Sequence, residues 1–248
     1  MKNRVRETLS QGKVSFGGWL NLGSPLAAEM MASAGFEWLA VDAEHAPFDI
    51  SLIAETFRAI DARGVVPFVR AWDHDPVSLA RLLDAGAFGV IIPHVSTPQQ
   101  AGALARAMRY PPRGARSVGT GRIAVYGPDY RKTINDELLV IPQIEDMEGI
   151  DNAEAILAVE GVDVGFLGPA DLAMSMGVEM GHPDHEKAIQ KFLAACKKVG
   201  KPGGLPIRVA PAIKKRVAEG FRLIDIASDL RLVEAGAQEI LKAVRTGA

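Results

Sequence analysis

The chain has 248 residues and a formal net charge of −2, with 48% hydrophobic and 23% charged residues. That balance excludes a disordered chain and a basic nucleic-acid surface. The lone cysteine, Cys196, excludes an internal disulfide framework and fits a reducing, cytoplasmic compartment, while no apolar stretch approaches the ~20 residues of a membrane span and the first seven residues hold no apolar core of a secretion signal.

In chain order, short runs rich in β-branched and aromatic residues alternate with amphipathic stretches rich in Ala, Leu and Glu. Strands are predicted over 14–22, 38–42, 65–70, 89–93, 139–145, 162–167, 203–207 and 223–227. The helices predicted to follow them cover 25–34, 50–62, 76–84, 98–108, 152–159, 185–199, 210–219 and 230–244. Pro25, Pro76 and Pro98 open three of these helices, at a first-turn position where a missing N–H costs nothing. Eight alternating units with buried-looking strands predict an α/β fold, a (β/α)8 TIM barrel, as one domain over 1–248. The rival, an open doubly wound sheet, requires a glycine-rich phosphate turn that Gly17, Gly18 and Gly23 do not supply. One connection, 109–136, is long and without strong periodicity, so it is expected to be functional or an interface element. Packing at a subunit boundary and closure over the site are both open for it. The basic run Lys214-Lys215-Arg216 reads as the solvated face of a helix.

In such a barrel the reactive groups stand at the C-terminal ends of the strands. Those ends carry Asp42-Ala43-Glu44-His45, Arg70, Pro93-His94, Gln143-Ile144-Glu145 and Gly168-Pro169-Ala170-Asp171. A carboxylate closing a buried strand is costly unless something positive meets it. Glu145 and Asp171, on neighbouring units, therefore predict a hard divalent cation, Mg2+ or Mn2+ with Co2+ as a further candidate, bound with several water or substrate oxygens. No zinc-type His or Cys spacing is present. Open positions beside such an ion suit the carboxylate and ketone oxygens of a 2-oxo acid. Arg70 and Gln143 are placed to hydrogen-bond that group, and the backbone from Gly168 through Pro169 and Ala170 to cradle its carboxylate. His45 is the acid–base candidate, with Asp42 or Asp84 as the carboxylate that orients it. No lysine falls at a strand end, which argues against an imine mechanism.

Together these residues resemble the HpcH/HpaI family of class II, metal-dependent pyruvate aldolases. The matching pieces are Gly23-Ser24-Pro25, Asp42-Ala43-Glu44-His45-Ala46-Pro47, Val69-Arg70, Arg109-Tyr110-Pro111-Pro112-Arg113-Gly114-Ala115-Arg116, Gln143-Ile144-Glu145 and Gly168-Pro169-Ala170-Asp171-Leu172. The resemblance implies a lyase that reversibly cleaves a 4-hydroxy-2-oxo acid to pyruvate and an aldehyde through a metal-stabilised enolate. Glu145 and Asp171 are then metal ligands, Arg70 and Gln143 bind the pyruvyl group, and His45 is the base. It also implies a last helix packed on a neighbouring subunit, in a homohexamer built as a trimer of dimers. Phe48 and the stretch Gly203-Gly204-Leu205-Pro206-Ile207-Arg208 depart from the family pattern, where the aldehyde half of the substrate is expected; Leu205 is counted with the substrate-binding residues. The alternative on the same scaffold is an oxaloacetate decarboxylase or an acyl-CoA lyase.

Overall fold

A computed structural model describes residues 2–246. Within them eight parallel strands close in sequence order into a barrel: β1 (Ser15–Leu20), β2 (Trp38–Asp42), β3 (Val66–Arg70), β4 (Gly89–Ile92), β5 (Leu139–Ile144), β6 (Gly165–Leu167), β7 (Gly203–Pro206) and β8 (Leu223–Ser228). The predicted (β/α)8 architecture is the one observed. Every predicted strand is present: β2 keeps its predicted bounds, β8 runs one residue further, and the other six are shorter by one to three residues, where chain pairing rather than composition sets the limit.

The barrel interior is a column of aromatic rings. Trp38 stacks on Phe68 at 5.1 Å and meets Trp19 edge-on at 6.5 Å, and Trp19 stacks on Phe166 at 5.8 Å. Gly17 on β1 makes room for this column, since a Cβ there would lie 2.0 Å from the Trp38 ring. Side chains thus fill the barrel and leave chemistry to its rim.

Several helices escape the sequence reading. The helix Arg4–Ser10 packs Val5 and Leu9 into the core, and Asn3 both caps it and donates to the Phe88 carbonyl at 3.1 Å. The short helices Met147–Asp151 and Pro169–Ser175 follow β5 and β6 directly. The connection 109–136 is largely ordered by polar anchors, and it contains a 3-10 turn over Arg122–Tyr126 and leads into the helix Tyr130–Glu137. Buried Arg109 donates to the carbonyls of Asn135 (2.6 Å) and Gly161 (2.7 Å) and to Asp163 (2.7 Å). The Arg116 guanidinium lies 4.5 Å over the Tyr110 ring and bonds Asp84 at 2.6 Å. This connection joins the end of the helix Pro98–Met108 to the start of β5, which places it at the end of the barrel opposite the catalytic rim. Closure over the chain's own site is therefore ruled out for it.

The last helix, Asp229–Thr246, differs from the others. Its first residue is fixed, because Asp229 accepts the backbone N–H groups of Asn21 (2.7 Å) and Leu22 (3.2 Å) at the tip of β1. Beyond that it leaves the barrel with an apolar face in solvent: Val233, Ile240 and Val244 are each more than 60% exposed. Among the described residues, no helix is long and apolar enough to cross a membrane.

Candidate active site

Strand register delivers the first contacts. Asp42 pairs in register with Arg70 across β2 and β3, so the Asp42 carboxylate meets the guanidinium fork at 2.9 and 2.7 Å. The Asn21 amide donates to the same carboxylate at 2.9 Å. Burial penalises the charge on Arg70, yet Asp42, Glu44 and Glu145 outweigh it and hold its pKa above the ordinary arginine value. The third nitrogen of the guanidinium, Nη1, reaches Glu44 at 3.0 Å.

From Glu44 the network crosses the rim to β5. The His94 ring spans two carboxylates, with Nε2 3.2 Å from Glu44 and Nδ1 3.1 Å from Glu145. His94 is also the one non-glycine among the described residues with positive φ, at 56°, a left-handed conformation costing on the order of 1 kcal/mol. That conformation accompanies a 2.7 Å hydrogen bond from the His94 backbone N–H to Glu145 Oε1. The other carboxylate oxygen, Oε2, accepts from the Gln143 amide. Gly168 fits close by, since a Cβ there would lie 2.4 Å from Glu145 Oε2.

Glu145 is only 4% exposed. Burial raises its pKa, the hydrogen bonds from Gln143 and His94 oppose the rise, and the negative charge of Asp171 adds to it. Asp171 sits in the first turn of the helix Pro169–Ser175 and makes no side-chain hydrogen bond or ion pair with the described residues. Two carboxylates that repel one another, one buried and one unpartnered, fit a hard dication. Among the described residues no cluster of three or more His, Cys, Asp or Glu has metal-holding geometry, so an ion held by Glu145 and Asp171 alone would need further ligands from outside the protein.

A cavity of about 650 Å³ opens on this rim. Asp42, Arg70, Gln143, Gly168, Pro169, Ala170, Asp171 and Leu205 all border it, and Glu145 lies behind this lining, against Gly168 and Gln143. Buried His185 fixes the Pro169 turn, with Nε2 2.8 Å from the Pro169 carbonyl and Nδ1 accepting from the Gly181 N–H.

The expected partners of His45 are a different matter. The His45 ring stands exposed at the outer rim, and its carboxylate neighbour is Glu44, at 3.6 Å from Nε2. Asp42 touches His45 only by accepting its backbone N–H at 3.3 Å, because both carboxylate oxygens are taken by Arg70 and Asn21. Asp84 lies in the last turn of the helix Pro76–Ala85, at the far end of the barrel and bonded to Arg116. Within one chain neither carboxylate orients the imidazole. Sequence reasoning passed over Asn21 and the bridging role of His94. A histidine directly after a strand-ending Pro93 was the available signal for the second.

Asp225 of β8, which also borders the cavity, is fully buried and bonded to Arg208. Burial pushes its carboxyl up to about 7 against the pull of Arg208. An acid whose pKa is raised by folding holds its proton more tightly in the folded state, so stability falls as pH rises from the unfolded value near 4 toward 7. The expected effect is roughly 4 kcal/mol, fully lost above about pH 7. Relative to Asp225→Asn, the wild type should therefore lose thermal stability between pH 5 and pH 8. A melting-temperature difference independent of pH would show Asp225 ionised throughout.

Residues 15–235 match the family model described as HpcH/HpaI aldolase/citrate lyase. A 5-keto-4-deoxy-D-glucarate aldolase of Salmonella arizonae is 37% identical over 96% of this chain and 95% of its own length. A solved HpcH/HpaI aldolase/citrate lyase family protein from Burkholderia cenocepacia superposes with a TM-score of 0.94 at 38% identity, covering 98% of this chain and 100% of that one. An HpcH/HpaI aldolase from Desulfitobacterium hafniense gives 0.92 at 29% identity, over 97% and 96%.

Proposed function

The chain belongs to the HpcH/HpaI aldolase/citrate lyase family, and on that footing we propose that it cleaves a 4-hydroxy-2-oxo acid reversibly to pyruvate and an aldehyde, with a divalent cation held by Glu145 and Asp171. The observation that carries this reading is the continuous polar ring Asp42–Arg70–Glu44–His94–Glu145–Gln143, which ends opposite the unpartnered Asp171.

Glu145 and Asp171 would hold Mg2+ or Mn2+, which would supply Lewis acidity for the 2-oxo acid. Arg70, its fork held by Asp42, turns its remaining N–H groups to the ketone oxygen and balances the charge that develops as the enolate forms. Gln143 fixes the Glu145 carboxylate and offers its amide to the same group. His45, beside Glu44, takes the proton from the 4-hydroxyl. The C3–C4 bond then breaks, its electron pair passes into the pyruvate enolate, C4 leaves as the aldehyde carbon, and protonation of C3 completes pyruvate. Cys196 takes no part, since burial pushes its thiol up to about 12. The relatives' 5-keto-4-deoxy-D-glucarate is one substrate to try.

The decisive assay incubates purified protein with pyruvate and an aldehyde panel, with added Mg2+ or Mn2+ and again after exhaustive chelation. Metal-dependent adduct formation supports the reading; undiminished turnover in chelator, or none with any aldehyde, rejects it.

The last helix bears on assembly. Its solvent-facing valines and isoleucine match a face covered by a second copy of the chain, in a homohexamer within the cytoplasm. Light scattering should return a mass near six chains, and a monomer mass would refute the assembly.

A further inference from the structure

We infer that the floor of the barrel, at the end away from the aldol site, binds a small multivalent oxyanion, a phosphate ester or a di- or tricarboxylate. The inference is independent of the aldol reading. A cavity of about 380 Å³ lies there, bordered by Arg6, Lys197, Lys201, Arg222 and Asp163. Asp163, Lys201 and Arg222 stand just before β6, β7 and β8. Arg6 comes from the helix Arg4–Ser10, and Lys197 from the last turn of the helix Pro183–Val199. Chain direction therefore gathers these residues at the N-terminal ends of the strands, opposite the rim that carries Arg70 and Glu145.

Four cations border this cavity against one carboxylate, a surplus of three positive charges. The carboxylate is also fully engaged. Asp163 accepts from Arg6 at 2.7 Å on one oxygen, and on the other from buried Arg109 at 2.7 Å and from the Val140 N–H at 2.8 Å. Behind the cavity Arg109 thus already balances its charge. The remaining cations meet only carbonyls. Lys201 donates to Leu157 and Val159, and Arg222 to Gly12 (2.8 Å), Val217 (3.0 Å) and Phe221 (2.8 Å). Carbonyls at helix ends attract cations but carry only partial charge. Lys197, exposed, makes no side-chain hydrogen bond or ion pair with the described residues. Burial depresses the Lys201 pKa against the pull of Asp163, and the charge of Arg109 depresses it further. Elsewhere the fold matches its enclosed guanidiniums with carboxylates: Arg116 with Asp84, Arg122 with Asp61, and Arg216 with Glu186 and Glu219. The floor departs from that pattern, and an anion with two to four charges restores it, with charge-assisted bonds to the free guanidinium and ammonium donors. The volume is at the small end of ligand pockets, which suits a sugar phosphate or a tricarboxylic acid and leaves no room for a polymer.

The test uses the full-length protein freed of divalent cations, which pyrophosphate and citrate would otherwise sequester. Each anion is titrated by isothermal calorimetry and by melting temperature, with sodium chloride holding the ionic strength constant. Pyrophosphate or citrate should bind and raise the melting temperature above the chloride control. Tighter binding of pyrophosphate assigns the site to phosphate esters, and tighter binding of citrate to tricarboxylic acids. Lys197→Gln should weaken the better anion about fivefold, the upper range for an exposed ion pair. Lys197→Glu, which reverses the charge, should weaken it by about tenfold or more. Neither variant loses an internal bond, so both should melt like the wild type when no anion is present. Absence of binding by both anions, or equal affinity in the wild type and Lys197→Glu, overturns the site. Both of those results leave the aldol reading standing.

Discussion

Glu145→Gln is expected to lower kcat/KM by about 10³-fold or more, beyond the ~10²–10³ that a single lost oxyanion donor costs, while the metal-free protein gains thermal stability. The two effects share one cause. The Glu145 carboxylate is buried, its pKa is raised by that burial and further by Asp171, and its oxygens are held by Gln143 and the His94 backbone. A site that confines negative charge in this way is destabilised until a cation arrives. Glutamine keeps the shape and removes the charge, so the fold is relieved and the ion loses a ligand. Mg2+ or Mn2+ should raise the melting temperature of the wild type through binding to the native state and leave the variant nearly unmoved. The matched pair of melting curves, with and without metal, is the measurement. Retention of turnover by Glu145→Gln, or an equal metal-induced shift in both proteins, would exclude Glu145 as a ligand.

Arg70→Ala should reduce the rate by about 10²–10³-fold and destabilise the fold by ~3–5 kcal/mol. The second effect follows from Asp42, which is 1% exposed and keeps only the Asn21 amide and the His45 N–H once the fork is gone. Loss of the contact above the Trp19 ring, 5.4 Å away, adds to it. Combining Arg70→Ala with Asp42→Asn separates the two roles. Stability should largely return, because no unpaired charge stays buried, but activity should not. Arg70→Lys keeps the charge and loses the fork, so it should fall between wild type and alanine in rate. Urea denaturation and steady-state kinetics on the four proteins decide the matter. An active, stable Arg70→Ala would rule out both roles.

The fold was legible because its units repeat and its strands are buried on both faces, so that runs such as Trp38–Asp42 and Leu139–Ile144 carry little but apolar residues. The helix Tyr130–Glu137 was not, since only Tyr130 and Ile134 are buried in an otherwise polar segment. Pro169–Ser175, with two buried residues in seven, is too short to show a period. At the site, residues fixed by strand register could be read ahead: Asp42 beside Arg70, and Gln143 one same-face step from Glu145. The bridge through His94 could not, because it depends on a left-handed backbone at one residue. Asp84 was legible in principle. A residue in the last turn of a βα-unit's helix must lie at the end of its own barrel away from the rim.

Trp19 gives the molecule an optical gauge. Its indole borders the cavity, beneath the Arg70 guanidinium proposed to meet the substrate, whereas Trp38 is sealed inside the barrel. An anion that engages Arg70 changes the field across Trp19 and leaves Trp38 as steady background, and Trp72→Phe removes the third tryptophan from the signal. Ultraviolet-excited emission from the unlabelled protein can therefore follow the filling of this pocket in real time, with no coupled enzyme and no turnover.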